Sequence, residues 1–168
     1  MLSSQQKRIA VLIDAENVSY LHMEYVMQKV ANYGTACIKR VYANWSESTT
    51  AGWKDLILKY AMHPVQVFAY RNGKNAVDMW LTVDGMDLLH SDAVDAIVIV
   101  SNDSDYTPLA MKIREAGKDI IVFGTSHASR TLIHVCSDFN FLPSETTQLP
   151  HSVLSPSPVP THPTAPHT

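Results

Sequence analysis

Residues 96–105, with the sequence AIVIVSNDSD, decide the fold class of this chain. The first five of them form a continuous apolar run, which is typical of a strand buried on both faces of a parallel sheet. Residues 8–14 (RIAVLID) form a second run of this kind, and it also ends in a carboxylate. Because such strands need helices on both sides of the sheet, the two runs predict an α/β protein.

Helical and strand-like patterns alternate along the first 142 residues. Further strands are predicted over residues 37–42, 65–70, 119–123 and 139–142, and helices over 21–33, 52–62, 75–89, 106–116 and 130–135. This alternation predicts a doubly wound, mainly parallel sheet of five or six strands, flanked by helices. The leading topology places the first strand centrally with the fourth (96–101) beside it, and a flavodoxin-like strand order is the alternative.

Composition limits the classes of protein. The chain has 168 residues, a formal net charge of −3 and two cysteines, Cys37 and Cys136, far apart in sequence. A disulfide scaffold or a structural zinc site is therefore not expected, and a reducing, cytoplasmic compartment is the default. No apolar run approaches the roughly 20 residues that span a bilayer, so no membrane partner is expected. The mild acidity argues against nucleic-acid binding by surface charge alone, but it leaves open an acidic site that needs metal ions.

The segment 143–168 differs from the rest in composition. It contains seven of the nine prolines, and Glu145 is its only formally charged side chain. A segment of this kind cannot bury enough apolar surface to offset the entropy lost on ordering. We therefore expect one folded domain over residues 1–142 and a disordered Pro/Ser/Thr-rich tail or linker over residues 143–168. An inert tail and a tether to a further domain are both open.

Acidic residues collect where the carboxyl ends of the predicted strands meet. Asp14 ends the first strand, and Asp103 and Asp105 follow the fourth, so neighbouring strands would bring all three into one crevice. Asp78, one turn into the preceding helix, is the best candidate to join them. Close carboxylates repel each other unless a cation lies between them, and oxygen ligands favour Mg²⁺ or Mn²⁺. The natural chemistry of such a site is metal-assisted hydrolysis of phosphodiester bonds.

The same residues also have purely structural interpretations. Asp105 and Asn17 can cap the helices that follow them. Asp84 lies about 120° around the helix from Asp78, so pairing with a neighbour is more expected there than metal binding. The coincidence of two acidic ends on two apolar strands is what favours a site. The glycine-rich dinucleotide and P-loop motifs and the GxSxG elbow do not occur, which excludes the standard forms of those sites.

Three segments together resemble the NYN domain of the PIN-like superfamily of metal-dependent nucleases. They are IAVLIDAENV (9–18), KNAVDMWLTVDGMDLL (74–89) and IVIVSNDSDYTPLAMKIREAGKDIIVFG (97–124), and the resemblance covers residues 7–142. It implies a three-layer, PIN-like or Rossmannoid fold. It also implies metal-binding or catalytic roles for several residues, with Ser101 and Asp84 in support: Asp14, Asn17, Asp78, Asp103 and Asp105. Asn102 stands where the family usually has glycine, and Tyr106 where it often has phenylalanine.

The resemblance implies a Mg²⁺- or Mn²⁺-dependent ribonuclease, in which Asn17 and Ser101 orient a ligand or a water molecule. Strand-end position predicts RNA contacts from basic and aromatic side chains, namely Trp45, Tyr70, Arg71, Lys74 and Arg130. The alternative is a non-catalytic, RNA-binding or regulatory module, and a phosphatase is a weaker third hypothesis. Related bacterial proteins often carry a C-terminal RNA-associated domain after a linker, so such a domain is an expected partner of the tail. Assembly into a homo-oligomer is also open.

Overall fold

The computed structural model describes residues 6–69 and 75–144. Six strands form one sheet in which every neighbouring pair is parallel, in the order β3-β2-β1-β4-β5-β6. Their bounds are β1 Arg8–Asp14, β2 Thr35–Ala43, β3 His63–Gln66, β4 Ala96–Val100, β5 Asp119–Gly124 and β6 Asp138–Phe141. The doubly wound order with β1 beside β4 is confirmed, and the flavodoxin-like order is excluded. Reversal of the strand order at β1 and β4 creates a crevice at their carboxyl ends.

Five α-helices connect the strands. They are α1 Met23–Tyr33, α2 Lys54–Lys59, α3 Ala76–His90, α4 Thr107–Glu115 and α5 Arg130–Val135. Short 3₁₀ turns at Tyr20–His22, Ser48–Trp53 and Ser104–Tyr106 precede α1, α2 and α4. Three of the five predicted helices therefore begin with a tighter turn than expected. In two of these turns the side chain of the preceding residue, Ser19 or Asp103, accepts a backbone N–H and closes the first turn.

Strand β3 begins earlier and ends earlier than the sequence pattern predicts. It includes Pro64, which pairs with Val41 of β2. A proline is tolerated there because β3 is an edge strand and needs no hydrogen bond on its outer side. The strand ends at Gln66, so Phe68 lies beyond it and is 64% exposed. Three residues predicted to contact RNA, Tyr70, Arg71 and Lys74, lie outside the described part of the chain, as does the predicted tail from residue 145 onward.

The core consists of two apolar layers, one on each face of the sheet. Leu12 of β1 packs on one side with Leu81 of α3, and its neighbour Val11 packs on the other with Val26 of α1. Residues 9–13 of β1 and all of β4 have no exposed surface. These two strands are therefore the most deeply buried part of the sheet, and acidic residues stand at or just after their carboxyl ends. Within residues 6–69 and 75–144, none of the helices has the length and apolar character that crossing a membrane requires.

Candidate metal centre

Asp14, the last residue of β1, is fully buried and is a centre of hydrogen bonding. Its Oδ2 accepts from Asn17 Nδ2 at 2.6 Å, Ser101 Oγ at 3.0 Å and the Tyr106 hydroxyl at 3.1 Å. Its Oδ1 accepts from the backbone N–H groups of Glu16 at 3.2 Å and Asn17 at 3.3 Å. Burial raises the pKa of Asp14, and the donors from Asn17, Ser101 and Tyr106 oppose that rise.

Ser101 connects the acidic ends of the two central strands. Its hydroxyl donates to Asp14, and its Oγ accepts from the backbone N–H of Asp103 at 3.1 Å. The next side chain, Asn102, accepts from the backbone N–H of Thr125 and so joins the loops after β4 and β5. Asn102 is not among the described residues with positive φ, so this loop does not need the glycine that the family usually has.

Three carboxylates converge at the mouth of the crevice. Asp78 is the third residue of α3, and Asp103 and Asp105 follow β4. One oxygen from each lies within 4.8 Å of the others. The backbone N–H of Asp105 donates to Asp103 Oδ1 at 2.9 Å, so Asp103 caps the 3₁₀ turn and takes part in the group at once. We call Asp78, Asp103 and Asp105 the outer carboxylate group. Asp14 lies behind it and does not belong to it.

The outer carboxylate group has the properties of a divalent-cation site. Asp78 is buried, and burial raises its pKa to about 7. A hydrogen bond from Tyr106 opposes this rise, whereas the charges of Asp103 and Asp14 add to it. A cation would relieve the repulsion and restore the ionised form of Asp78. Asp105 is exposed, so the group is open to solvent. Its all-oxygen donor set suits a hard divalent ion.

Tyr106 is a residue of the site that sequence reasoning did not single out. Its side chain is fully buried, and its hydroxyl lies 3.1 Å from Asp14 Oδ2 and 3.0 Å from Asp78 Oδ1. The sequence pattern presents Tyr106 only as a substitute for phenylalanine in the core. A signal existed nevertheless, because a buried phenol needs a hydrogen-bond partner and the predicted acids were among the polar groups expected nearby.

Asp84 lies away from the outer carboxylate group. Its Oδ2 accepts from Arg40 Nη1 at 2.9 Å and from the Tyr42 hydroxyl at 2.6 Å. Burial and the neighbouring Asp84 carboxylate together raise the pKa of Tyr42 well above its usual value. Asp84 therefore joins α3 to β2 in this structure, which is the pairing that its position around the helix favoured.

Two residues predicted to contact RNA, Trp45 and Arg130, lie in the described part of the chain, and they differ in exposure. Trp45 is tied to the chain, because its Nε1 donates to the backbone oxygen of Val65 at 2.9 Å. Arg130 is exposed at the start of α5. Phe68, which was not among the residues predicted to contact RNA, is an exposed aromatic side chain beyond the carboxyl end of β3.

A cavity of about 490 Å³ lies at the carboxyl ends of β1, β2 and β3, and no member of the outer carboxylate group is among its lining residues. It is bounded by the ends of β1, β2 and β3 and by the first residue of α3, with the following lining: Ala15, Glu16, Asn44, Glu47, Thr49, Thr50, Val67, Ala69 and Ala76. Burial and the charge of Asp14 both raise the pKa of Glu16. The acidic character of the crevice therefore extends from β1 towards the ends of β2 and β3.

Comparisons with known proteins show which family and which fold this chain shares. An uncharacterized protein from Methanocaldococcus jannaschii is 27% identical over 153 residues, which are 89% of this chain and 60% of that protein. The chain thus spans about three fifths of the length of this curated relative. The crystal structure of a protein of unknown function from Vibrio parahaemolyticus superposes with a TM-score of 0.67 at 22% identity, over 85% of this chain and 97% of that one. It shares the fold.

The family model of the NYN domain matches residues 8–144. The match begins at β1, includes the complete six-stranded sheet and contains Asp14 and all of the outer carboxylate group. Family, fold and site thus coincide on the same residues, and the family has a nuclease-like fold. The chain belongs to the NYN domain family.

Proposed function

We propose that this protein is a ribonuclease that hydrolyses RNA phosphodiester bonds with the help of Mg²⁺ or Mn²⁺. The outer carboxylate group is the observation that supports this proposal. Three carboxylate oxygens lie within 4.8 Å of one another, and burial together with the charges of Asp103 and Asp14 raises the pKa of Asp78, so a bound cation would stabilise the ionised group. A family of nuclease-like fold makes phosphodiester hydrolysis the natural use of such a site.

The proposal gives the outer carboxylate group one role and Asp14 another. Asp78, Asp103 and Asp105 would hold the ion, which supplies a Lewis acid for activating water and stabilising the leaving oxygen. Asp14 holds the base of the crevice in place through Asn17, Ser101 and Tyr106. Asn17 and Ser101 both donate hydrogen bonds to Asp14, so in this proposal they orient the Asp14 carboxylate.

RNA is the proposed substrate and partner. A chain with a net charge of −3 must bind RNA through local contacts, because it has no general excess of positive charge. Phe68 offers an exposed ring at the carboxyl edge of the sheet on which an unpaired base can stack, and Arg130 offers a charge at the start of α5. Arg71 and Lys74 are added to the proposal on their sequence positions alone.

The decisive experiment measures cleavage of labelled single-stranded and hairpin RNA with Mn²⁺, with Mg²⁺ and with a chelator. We expect metal-dependent cleavage by the unmodified protein and a loss of about 100-fold or more in Asp103→Asn. Asp87→Asn is the matched control, since Asp87 is an exposed aspartate on α3 outside the outer carboxylate group. It should retain full activity. Equal cleavage by Asp103→Asn, or cleavage that survives chelation, would refute the mechanism. Mn²⁺ binding without cleavage of any RNA would support the non-catalytic module instead.

A further inference from the structure

Two buried tyrosines each contact an aspartate of α3. The Tyr106 hydroxyl lies 3.0 Å from Asp78 Oδ1, and the Tyr42 hydroxyl lies 2.6 Å from Asp84 Oδ2. Both rings have no exposed surface. The two pairs differ in their surroundings, because Asp78 belongs to the outer carboxylate group and Asp84 is paired with Arg40. The same kind of contact thus occurs twice on one helix, once at the candidate metal centre and once away from it.

We propose that Tyr106 is a positioning residue of the metal centre, whose hydroxyl holds the Asp78 carboxylate in the geometry that binds the ion. This inference rests on the metal site of the proposed function. It assigns to Tyr106 a task that a phenylalanine ring of the same shape could not perform.

The hydroxyl is held firmly enough to act as a support. The ring is packed in the core at the end of the 3₁₀ turn that leads into α4. On its other side the hydroxyl touches Asp14, which is itself fixed by Asn17 and Ser101. The Tyr106 side chain therefore connects Asp14, at the buried end of β1, to Asp78 of the outer carboxylate group.

Asp78 needs this support. Among the residues that the structure describes, Tyr106 is the one hydrogen-bond donor to the Asp78 side chain. The carboxylates of Asp103 and Asp14 repel Asp78, and the bond from Tyr106 acts against that repulsion. Without the hydroxyl, the ionised Asp78 would be free to turn away from its neighbours. Binding of a cation would then have to include the cost of bringing it back, so affinity would fall.

The test compares Mn²⁺ affinity by titration calorimetry in the unmodified protein, Tyr106→Phe and Tyr42→Phe. We expect the Kd of Tyr106→Phe to rise about 10-fold, which corresponds to about 1.4 kcal/mol and is the size of one hydrogen bond to a charged group. Tyr42→Phe removes the hydrogen bond from the other buried tyrosine to Asp84 of α3, and it should leave the Kd for Mn²⁺ within about twofold. Thermal melts of the metal-free proteins should show a loss of stability in both variants, so that a purely structural effect is separated from positioning.

Equal affinity of Tyr106→Phe and the unmodified protein would overturn the inference, and so would equal weakening by the two variants. In either case the metal site itself would stand. If the unmodified protein binds no Mn²⁺, both the proposed metal site and this inference fail. Should Tyr106→Phe not fold, the protein labelled at tyrosine ¹³Cζ provides the test by NMR. Addition of Mg²⁺ should shift the Tyr106 resonance and leave that of Tyr42 in place, and an unmoved Tyr106 resonance would overturn the inference.

Discussion

Replacing Asp78 by asparagine should stabilise the metal-free protein above about pH 7, although it removes a proposed ligand. Burial, with the charges of Asp103 and Asp14, raises the pKa of Asp78 from its usual 3.8 to about 7. A carboxyl group with a higher pKa in the folded state binds more protons there than in the unfolded chain. The free energy of unfolding therefore falls as pH rises from about 4 to about 7, and the loss is complete above that range.

Asparagine resembles the protonated form of Asp78 at every pH. Its amide oxygen can still accept from Tyr106, and its amide N–H can donate to Asp103 as the protonated acid does. The difference between the two pKa values is about three units, which sets an upper limit of about 4 kcal/mol. Because Asp105 is exposed and the group is open to solvent, screening lowers the expected gain to about 1–2 kcal/mol. For a chain of this size that corresponds to roughly 3–6 °C in Tm.

The assay is urea or thermal unfolding in the presence of a chelator, at pH 8 and at pH 4. Asp78→Asn should be more stable than the unmodified protein at pH 8, and the two should be nearly equal at pH 4. Asp87→Asn, on the exposed side of α3, should change neither value. Saturating Mn²⁺ should stabilise the unmodified protein and have little effect on Asp78→Asn. A destabilised Asp78→Asn at pH 8, or a gain of the same size at pH 4, would refute the electrostatic reasoning.

Three further predictions concern residues around the outer carboxylate group. Asp14→Ala leaves four donor groups without their buried acceptor and removes one of the two acceptors beside the Tyr106 hydroxyl. Urea denaturation should therefore show a loss of about 3 kcal/mol or more in the free energy of unfolding, and a loss below about 1 kcal/mol would contradict the central position of Asp14 in this hydrogen-bond network. Asp84→Asn removes the charge partner of Arg40, so it should cost about 1 kcal/mol in melts, while calorimetry should find unchanged Mn²⁺ affinity. Phe68→Ala should weaken binding of single-stranded RNA about 10-fold in chelator without a change in Tm, since the exposed ring contributes stacking and little packing. An unaltered RNA affinity would remove Phe68 from the proposed interface.

The fold follows from the sequence because its signals are local. The apolar runs of β1 and β4 predicted strands buried on both faces, and the alternation of helix and strand left few topologies, with the doubly wound order leading and a flavodoxin-like order open. Once these strands are neighbours, the carboxylates of Asp14 and Asp103 must lie at one edge of the sheet. Position along the chain was therefore sufficient to bring these acids to one end of the sheet.

The roles of individual side chains depend on contacts that sequence patterns do not contain. The direction of the Tyr106 ring follows from the 3₁₀ turn that Asp103 caps, and a helix starting directly at residue 106 would give a different direction. The pairing of Asp84 with Arg40 depends on how closely α3 approaches β2, which is a property of packing across layers. Phe68 is exposed because β3 ends early, and strand ends are poorly determined by alternation alone.

The distribution of hydrogen-bond donors indicates where positive charge is missing. Asp14, the most buried of the acids, has four donor groups of its own around its two oxygens and shares the Tyr106 hydroxyl with Asp78. Within residues 6–69 and 75–144, Asp78 accepts from that shared hydroxyl alone, and no hydrogen bond reaches the carboxylate of Asp105. The number of hydrogen-bond donors that offset the carboxylate charge thus decreases from the interior towards the solvent. The three outer carboxylates nevertheless lie close together. Since the interior acid is already satisfied, the uncompensated charge lies at the outer carboxylate group, and a cation drawn to this crevice is expected to bind there rather than at Asp14.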